Sequence, residues 1–598
     1  METLLLIAIL LPLAGAVAIG RDAQSARWLS LGITLAVLAC ACMLVAAFPV
    51  EGPQAGQLFA PLRIPWPDIG AQASHAGLSP DAPPHMALDG LSLWLFALTA
   101  LLMVVCVAIS WQAIDQQVSL YYRLLLILET GMLGVFAAQD IILFYVFFEF
   151  TLIPLFFIIG IWGSEQRRWA AIKFFLYTLA GSVLTLLALL AIVIWDYYHG
   201  TSGRLNFSIP LLAENLQRNP IDAQWQMLIF LGLFAGFAIK VPLFPLHTWL
   251  PLAHVQAPAA GSVLLAGVLL KIGTYGFVRF CLPLLPEATT AAMPWMLWLS
   301  LAGIIYGALV ALAQSDFKRL IAYSSISHMG FCMLGIFALN RLGLQGAVLQ
   351  MVNHGLSTGG LFAIVGMIYE RYHTRQIADL AGLARRTPIL ALFAVLLALS
   401  SIGLPGLNGF VGELLVLVGM FQRGWAEAPA QYAAQYRVIA VLATLGVVLA
   451  AWYMLWMVQR VFFGPLCEPK AAHAHPAGAG GPPDSHGSYN GKDLAAVRDL
   501  SIREILALAP LAVLIVWIGV WPQFFLARIA PTVDPYASRY ENIIQAASGP
   551  QQATAGLHSR SRSRLDAGDR PEGAAAPVAS EARRQRPSAI SFGPQQPD

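Results

Sequence analysis

Lys240-Val241-Pro242-Leu243-Phe244-Pro245 interrupts one long apolar run, and Gly403-Leu404-Pro405-Gly406-Leu407-Asn408-Gly409, followed closely by Glu413, interrupts another. Proline and glycine free backbone carbonyls and amides that lipid cannot satisfy, so a helix broken in this way must be buried in protein or line a wet cavity. The surrounding composition explains why lipid is the relevant solvent. Of 598 residues, 58% are hydrophobic and 11% charged, against about 25% charged in a soluble domain. The chain is therefore expected to be an all-α polytopic membrane protein.

Windows of about 20 apolar residues give fourteen candidate transmembrane helices, from Thr3–Ile19 to Ile505–Phe525. The first lacks a basic flank and a small-residue cleavage site, so it is expected to be retained. The segment Pro388–Phe421 is too long for one straight crossing, and its Gly-Pro-Gly run marks it as one interrupted helix. With the N-terminus outside, seventeen Lys and Arg fall on the cytoplasmic side and seven on the other, the tail excluded. This asymmetry predicts that both termini face out.

The two broken segments are helices 7 and 12. An offset of five is odd, so a second copy of a five-helix unit would enter the membrane from the opposite side. Such an inverted repeat places a site near the bilayer midplane. The expected layout has residues 1–119 as helices 1 to 3 with an outer loop, 120–282 as the first repeat (helices 4–8) and 293–462 as the second (helices 9–13). A His/Pro/Gly-rich cytoplasmic loop (463–504), a last helix (505–525) and a disordered Arg-rich tail (526–598) follow. Gln139-Asp140 against Gln314-Ser315-Asp316 is a faint echo of the repeat in the residues themselves.

Glu149, Lys240, Lys271, His328 and Glu413 lie inside these apolar spans. A charge at membrane depth costs at least about 2.5 to 3.5 kcal/mol, so a set spread over five segments points to a path for ions or protons. Glu149 and His328 each stand eight residues into their segments, which at about 1.5 Å per residue is about 12 Å deep. A buried Lys whose carboxylate partner moves can be switched between holding and releasing a proton, and Glu149 with Lys240 is the natural pair. A static salt bridge that only fixes helix packing is the plainer alternative. Lys271 has no acidic residue in its own helix and sits too centrally to snorkel. His328 and His354 can relay protons near neutral pH, although a buried His is also an ordinary hydrogen-bonding core residue. Glu413 beside a helix break can meet water and freed amides, and Glu129 in helix 4 is a weaker member of the set.

Cys40, Cys42, Cys106, Cys281, Cys332 and Cys467 contain no CxxC, so neither an iron–sulfur nor a zinc site is readable. His473 and His475 lie in the low-complexity loop and read as a solvated linker rather than a metal site. No dinucleotide fingerprint, Walker motif or nucleophile elbow is present.

Phe147-Phe148-Glu149-Phe150-Thr151-Leu152-Ile153-Pro154, Lys240-Val241-Pro242 leading to His247-Thr248-Trp249-Leu250-Pro251-Leu252-Ala253-His254-Val255-Gln256-Ala257-Pro258, and Leu269-Leu270-Lys271-Ile272-Gly273 resemble the antiporter-like membrane subunits of respiratory complex I. So do Ala322-Tyr323-Ser324-Ser325-Ile326-Ser327-His328-Met329-Gly330 and the run from Gly403 to Glu413. The likeness covers roughly residues 120–462. Within that superfamily the carboxylate at Glu413 resembles the subunit M branch, counterpart of mitochondrial subunit 4, whereas subunits L and N usually carry Lys there. The Arg-rich tail departs from the usual pattern of that branch.

The resemblance implies a proton-translocating module of NADH:quinone oxidoreductase in a bacterial inner membrane, flanked by two sister antiporter-like subunits and binding no nucleic acid. It implies no redox chemistry on this chain: FMN, iron–sulfur clusters and quinone would belong to other subunits. It further implies that Glu149 faces a neighbouring module and biases Lys240, that Lys240 exchanges with Lys271 through water and His328, and that Glu413 ends the path. A multisubunit cation/proton antiporter and an energy-converting membrane hydrogenase share these motifs, and a purely structural scaffold is a reading of a different class.

Overall fold

The computed structural model describes residues 1–51, 56–63, 84–200, 205–468 and 497–547, all within one compact unit, Met1–Ala547. His473, His475 and everything after Ala547 lie outside the described residues. The architecture is all-α apart from a small antiparallel pair, Phe59–Leu62 with Met86–Leu88, in the loop before the third long helix. Among the described residues twelve helices are long and apolar enough to cross a membrane, and Glu2–Ala18 and Pro388–Ser401 are shorter apolar helices.

The twelve are not equivalent. Ala259–Leu284, Phe317–Phe337 and Arg341–Tyr372 are enclosed almost completely by other helices, whereas Ala430–Phe462 and Ile502–Val520 leave most of their surface outside the bundle. A helix apolar all round belongs in a core or a bilayer. Here the most enclosed helices also carry the polar residues Lys271, His328 and His354.

Both anticipated breaks are present. Ala223–Lys240 ends at the first, and the chain resumes as Trp249–Gln256. The freed Ile239 carbonyl accepts from the Trp249 indole at 2.9 Å, which is how such a break is tolerated away from water. Pro388–Ser401 and Asn408–Trp425 flank the second, where Gly403 and Gly406 take positive φ (74° and 91°) that other residues adopt at a cost.

One irregularity was not expected. The span Ile141–Trp162 has a local irregularity at Thr151, between Ile141–Phe150 and Leu152–Trp162. Pro154 has no N–H to bond the Phe150 carbonyl, while Thr151 keeps a helical backbone and its N–H bonds the Phe147 carbonyl at 3.2 Å. Glu149 therefore sits two residues before a weakened turn of one span rather than at an unwound break. The Lys271 helix is also irregular, with π-helical stretches at Leu265–Leu269 and Phe277–Cys281.

The expected disordered tail from residue 526 is corrected in its first part. Gln523–Ala547 is a helix, and Phe525, Ile529, Val533, Ala537, Tyr540 and Ile544 are buried along one side of it. Their spacing of three or four residues is that of an amphipathic stripe, which a search for uniformly apolar stretches passes over. Tyr540 donates to the Leu282 carbonyl at 2.8 Å, Arg539 to the Pro283 carbonyl at 3.0 Å, and Gln345 to Asp534 at 2.6 Å.

Candidate functional site

Two groups of ionisable side chains emerge, one beside each anticipated break, all buried except Glu149, which is half-buried. In the first, Lys240 is the last residue of its helix and is buried. Its Nζ lies 4.8 Å from the centroid of the Phe148 ring, a cation–π geometry, and makes no hydrogen bond among the described residues. Glu149 faces Ser182 and feels the charge of Lys240, but the two form no direct ion pair among the described residues. The static bridge that would only fix packing is absent from this conformation.

The second group is a row of close neighbours with one step that no hydrogen bond spans. Lys271 Nζ stands 2.6 Å from His354 Nδ1 and also donates to the Ala266 carbonyl. The preceding π-helical stretch spans Leu265–Leu269, so Ala266 belongs to a turn whose carbonyls are displaced from the regular α ladder. The His354 and His328 ring centroids are 5.6 Å apart with no hydrogen bond between them, and His354 Nε2 has no partner among the described residues. His328 Nδ1 is 3.1 Å from Glu413 Oε1, and its Nε2 is 3.1 Å from Ser401 Oγ and 3.4 Å from the Tyr453 hydroxyl. Four ionisable groups from four chain segments thus form one buried line, Lys271, His354, His328, Glu413.

The backbone around the second break holds the end of that line. Asn353 donates to the Asn408 carbonyl at 2.7 Å, Ser400 to the Asn408 side chain at 2.5 Å, and Gln350 to Glu413 at 3.2 Å. Gly412 leaves the space these groups occupy, since a Cβ there would stand 2.2 Å from Gln350 Oε1 and 2.7 Å from Asn353 Nδ2. Glu413 Oε2 is buried with no protein hydrogen bond. The break orients Glu413 through a polar scaffold rather than leaving it in open water.

A close helix approach links the two groups. At Gly273, two residues beyond Lys271, a Cβ would come within 2.8 Å of the Phe237 carbonyl and the Val241 amide. Glycine therefore lets the Lys271 helix lie directly on the broken end that carries Lys240. Glu129 stands apart from both groups, fully buried with neither carboxyl oxygen hydrogen bonded among the described residues.

Gln350, Asn353, Ser401 and Tyr453 were not anticipated. A signal existed for two of them: Gln350, Asn353 and His354 recur at helical spacing on an otherwise apolar helix. Ser401 and Tyr453 come from distant segments, and one sequence gives no means of placing them beside His328. No group of three or more His, Cys, Asp or Glu residues among the described residues is arranged to hold a metal ion.

Residues 138–457 match the family described as NADH:quinone oxidoreductase/Mrp antiporter, TM. Over 571 residues the chain is 39% identical to NADH-quinone oxidoreductase subunit M of Rhodobacter capsulatus, covering 93% of this chain and all of that one. The chain belongs to the NADH-quinone oxidoreductase subunit M family. A chain of respiratory complex I from Thermus thermophilus with bound NADH aligns with a TM-score of 0.71 at 32% identity, over 89% of this chain and 99% of that chain. A chain of the Mrp complex from Dietzia aligns with a TM-score of 0.70 at 21% identity, over 92% and 99% of the two chains, a likeness of fold. Membership of the subunit M family accords with the carboxylate at Glu413, on which the sequence motifs had separated this branch from its sisters.

Proposed function

We propose that the chain is a proton-translocating module in the membrane arm of NADH:quinone oxidoreductase, moving protons along Lys271, His354, His328 and Glu413 under the control of Glu149 and Lys240. The observation that carries this reading is the buried row of four proton-exchanging groups, hydrogen bonded from Lys271 to His354 and from His328 to Glu413, with the two imidazole rings 5.6 Å apart between them. Each can hold or release a proton, whereas a scaffold would be better served by apolar packing. Glu149 biases Lys240 across a gap. A shift of either side chain changes that coupling, and the contact at Gly273 joins the end that carries Lys240 to the helix that carries Lys271.

The Ile141–Phe150 and Phe317–Phe337 helices both begin with an Asp N-cap, Asp140 and Asp316, each in an isolated bridge to a later residue, Ser208 and Gln376. This correspondence supports the inverted repeat of 120–282 against 293–462, with 1–119 and 505–525 packed around it. The positive-inside asymmetry supports both termini on the periplasmic side of a bacterial inner membrane. The module would stand between two sister antiporter-like subunits, with FMN, iron–sulfur clusters and quinone on other subunits. The remaining, more peripheral member of the path in this reading is Glu129.

The test is proton pumping in membrane vesicles alongside NADH:quinone reductase activity. Glu149→Ala and Lys240→Ala are expected to abolish coupled pumping while leaving an assembled complex. Wild-type pumping in both would return the pair to a structural role. Neighbouring reading frames for NADH dehydrogenase subunits favour this assembly, and hydrogenase or antiporter genes in their place would favour the competing ones.

A further inference from the structure

The line from Lys271 to Glu413 has no evident supply, and three residues outside it lead to the surface. Lys318, in the first turn of the Phe317–Phe337 helix, is buried, and its Nζ donates to the carbonyl of Ala257. Arg375 donates to the nearby Val255 carbonyl at 2.6 Å and faces Asp316 at 3.6 Å. Both side chains thus donate to carbonyls at the C-terminal end of the Trp249–Gln256 helix.

Lys318 and Arg375 also line a cavity of about 150 Å³, together with Ser164, Ala257, Tyr369 and Glu370. At about 30 Å³ per water it has room for several. Glu370 is only partly buried there, and its neighbour Arg371 is engaged by Glu504 through two bonds of 2.8 Å. One turn before Ala257, His254 is fully buried with neither ring nitrogen hydrogen bonded among the described residues. Its ring stacks on Phe362 at 4.5 Å, and it feels the charges of both Lys318 and Lys271. A buried imidazole without partners is costly unless it is used.

We propose that this cavity is the proton inlet of the module, with Glu370 and Lys318 as uptake groups and His254 as the relay to Lys271. The inference rests on the proton-translocating reading above. A proton taken from cavity water by the Glu370 carboxylate passes to the neutral Lys318 amine, making the ammonium. Lys318 then protonates His254 and returns to the amine, and the imidazolium gives the proton to Lys271, restoring neutral His254. Each donor is regenerated, and no redox partner is involved.

The structural alternative for Lys318 is a cap on the Trp249–Gln256 helix. Lys318→Arg keeps the cation and its hydrogen bond but holds its protons permanently. In inverted membrane vesicles carrying the whole complex, Lys318→Arg and Glu370→Gln are expected to lower NADH-driven pumping at least about tenfold with assembly intact. Ser164→Cys, in a chain also carrying Cys42→Ser and Cys467→Ser, is expected to lose pumping on reaction with a charged, impermeant methanethiosulfonate and regain it with dithiothreitol. Wild-type pumping in both titratable variants, or in fully labelled Ser164→Cys, overturns the inlet. If Glu370→Gln fails to assemble, the labelling experiment decides. Lys271→Met run in parallel separates the two levels: if it pumps normally the proton-path reading fails, and if it is inactive while the inlet variants are normal only the inlet fails.

Discussion

At the residue scale, Glu413 is the position where charge and geometry can be separated. Its Oε1 is held by His328 and Gln350, and its Oε2 is buried without a protein partner. Glu413→Gln preserves shape and most hydrogen bonds but cannot take up a proton, so pumping should fall at least about a hundredfold, the scale on which acid–base groups contribute. Glu413→Asp keeps the acid and should retain a substantial fraction. Vesicle pumping normalised to assembled complex checks both, and equal rates for Glu and Gln would mean that the residue does not titrate in turnover. All four members of the central line were legible in the sequence, because a charge or imidazole in an apolar span is conspicuous. Their partners Ser401, Tyr453 and Gln350 were not, since a serine or tyrosine in such a span is unremarkable until the fold sets it beside His328.

At the element scale, breaks in helices carry the design, and their legibility followed the local chemistry. Pro242, Pro245, Gly403, Pro405 and Gly406 cluster densely enough to announce two breaks. Pro154 alone did not announce the irregularity at Thr151, because single prolines also occur within regular helices here, as at Pro12 and Pro294. The π-helical turns around Lys271 carry no proline, and nothing in their composition marks them.

Asp89, just before the Leu93–Ala113 helix, pairs with Arg279 at 2.7 Å, both side chains being buried. Burial pushes the Asp89 carboxyl up, but the charge and hydrogen bond of Arg279 and the bonds from Ser92 outweigh it, leaving it below its ordinary 3.8. A lowered carboxyl contributes stability that is complete above the ordinary value and lost only as pH falls through the folded one. Asp89→Asn should therefore destabilise by about 3 to 5 kcal/mol, the cost of orphaning a buried partner. The loss of thermal midpoint should be equal at pH 6 and pH 8, and a penalty that shrinks at pH 6 would show that Asp89 is not an anion throughout that range.

At the scale of the whole molecule, the Gln523–Ala547 helix joins elements far apart in sequence. It touches the start of the Leu93–Ala113 helix through the bond from Gly90 to Thr532, the end of the Lys271 helix through Tyr540 and Arg539, and the start of the Arg341–Tyr372 helix through Asp534. The Arg341–Asp534 pair is largely exposed on the Arg341 side and adds little. The buried apolar side chains matter more: Ile529, Val533 and Ile544 would each contribute about 1.5 to 3 kcal/mol if transferred fully from water. Gly90 is also packed so closely that a Cβ there would stand 1.9 Å from the Arg528 carbonyl. Truncation after Phe525 should therefore expose the ends of three core helices and reduce assembled complex, even though all the proposed proton-carrying residues remain. Truncation after Gly549 keeps the helix and should leave both assembly and pumping close to wild type. Native gels of solubilised membranes measure assembly, and vesicle pumping per assembled complex measures transport. Normal assembly after truncation at Phe525 would show that the Gln523–Ala547 helix is dispensable, whereas lost pumping in assembled complex truncated after Gly549 would place part of the transport machinery beyond Gly549.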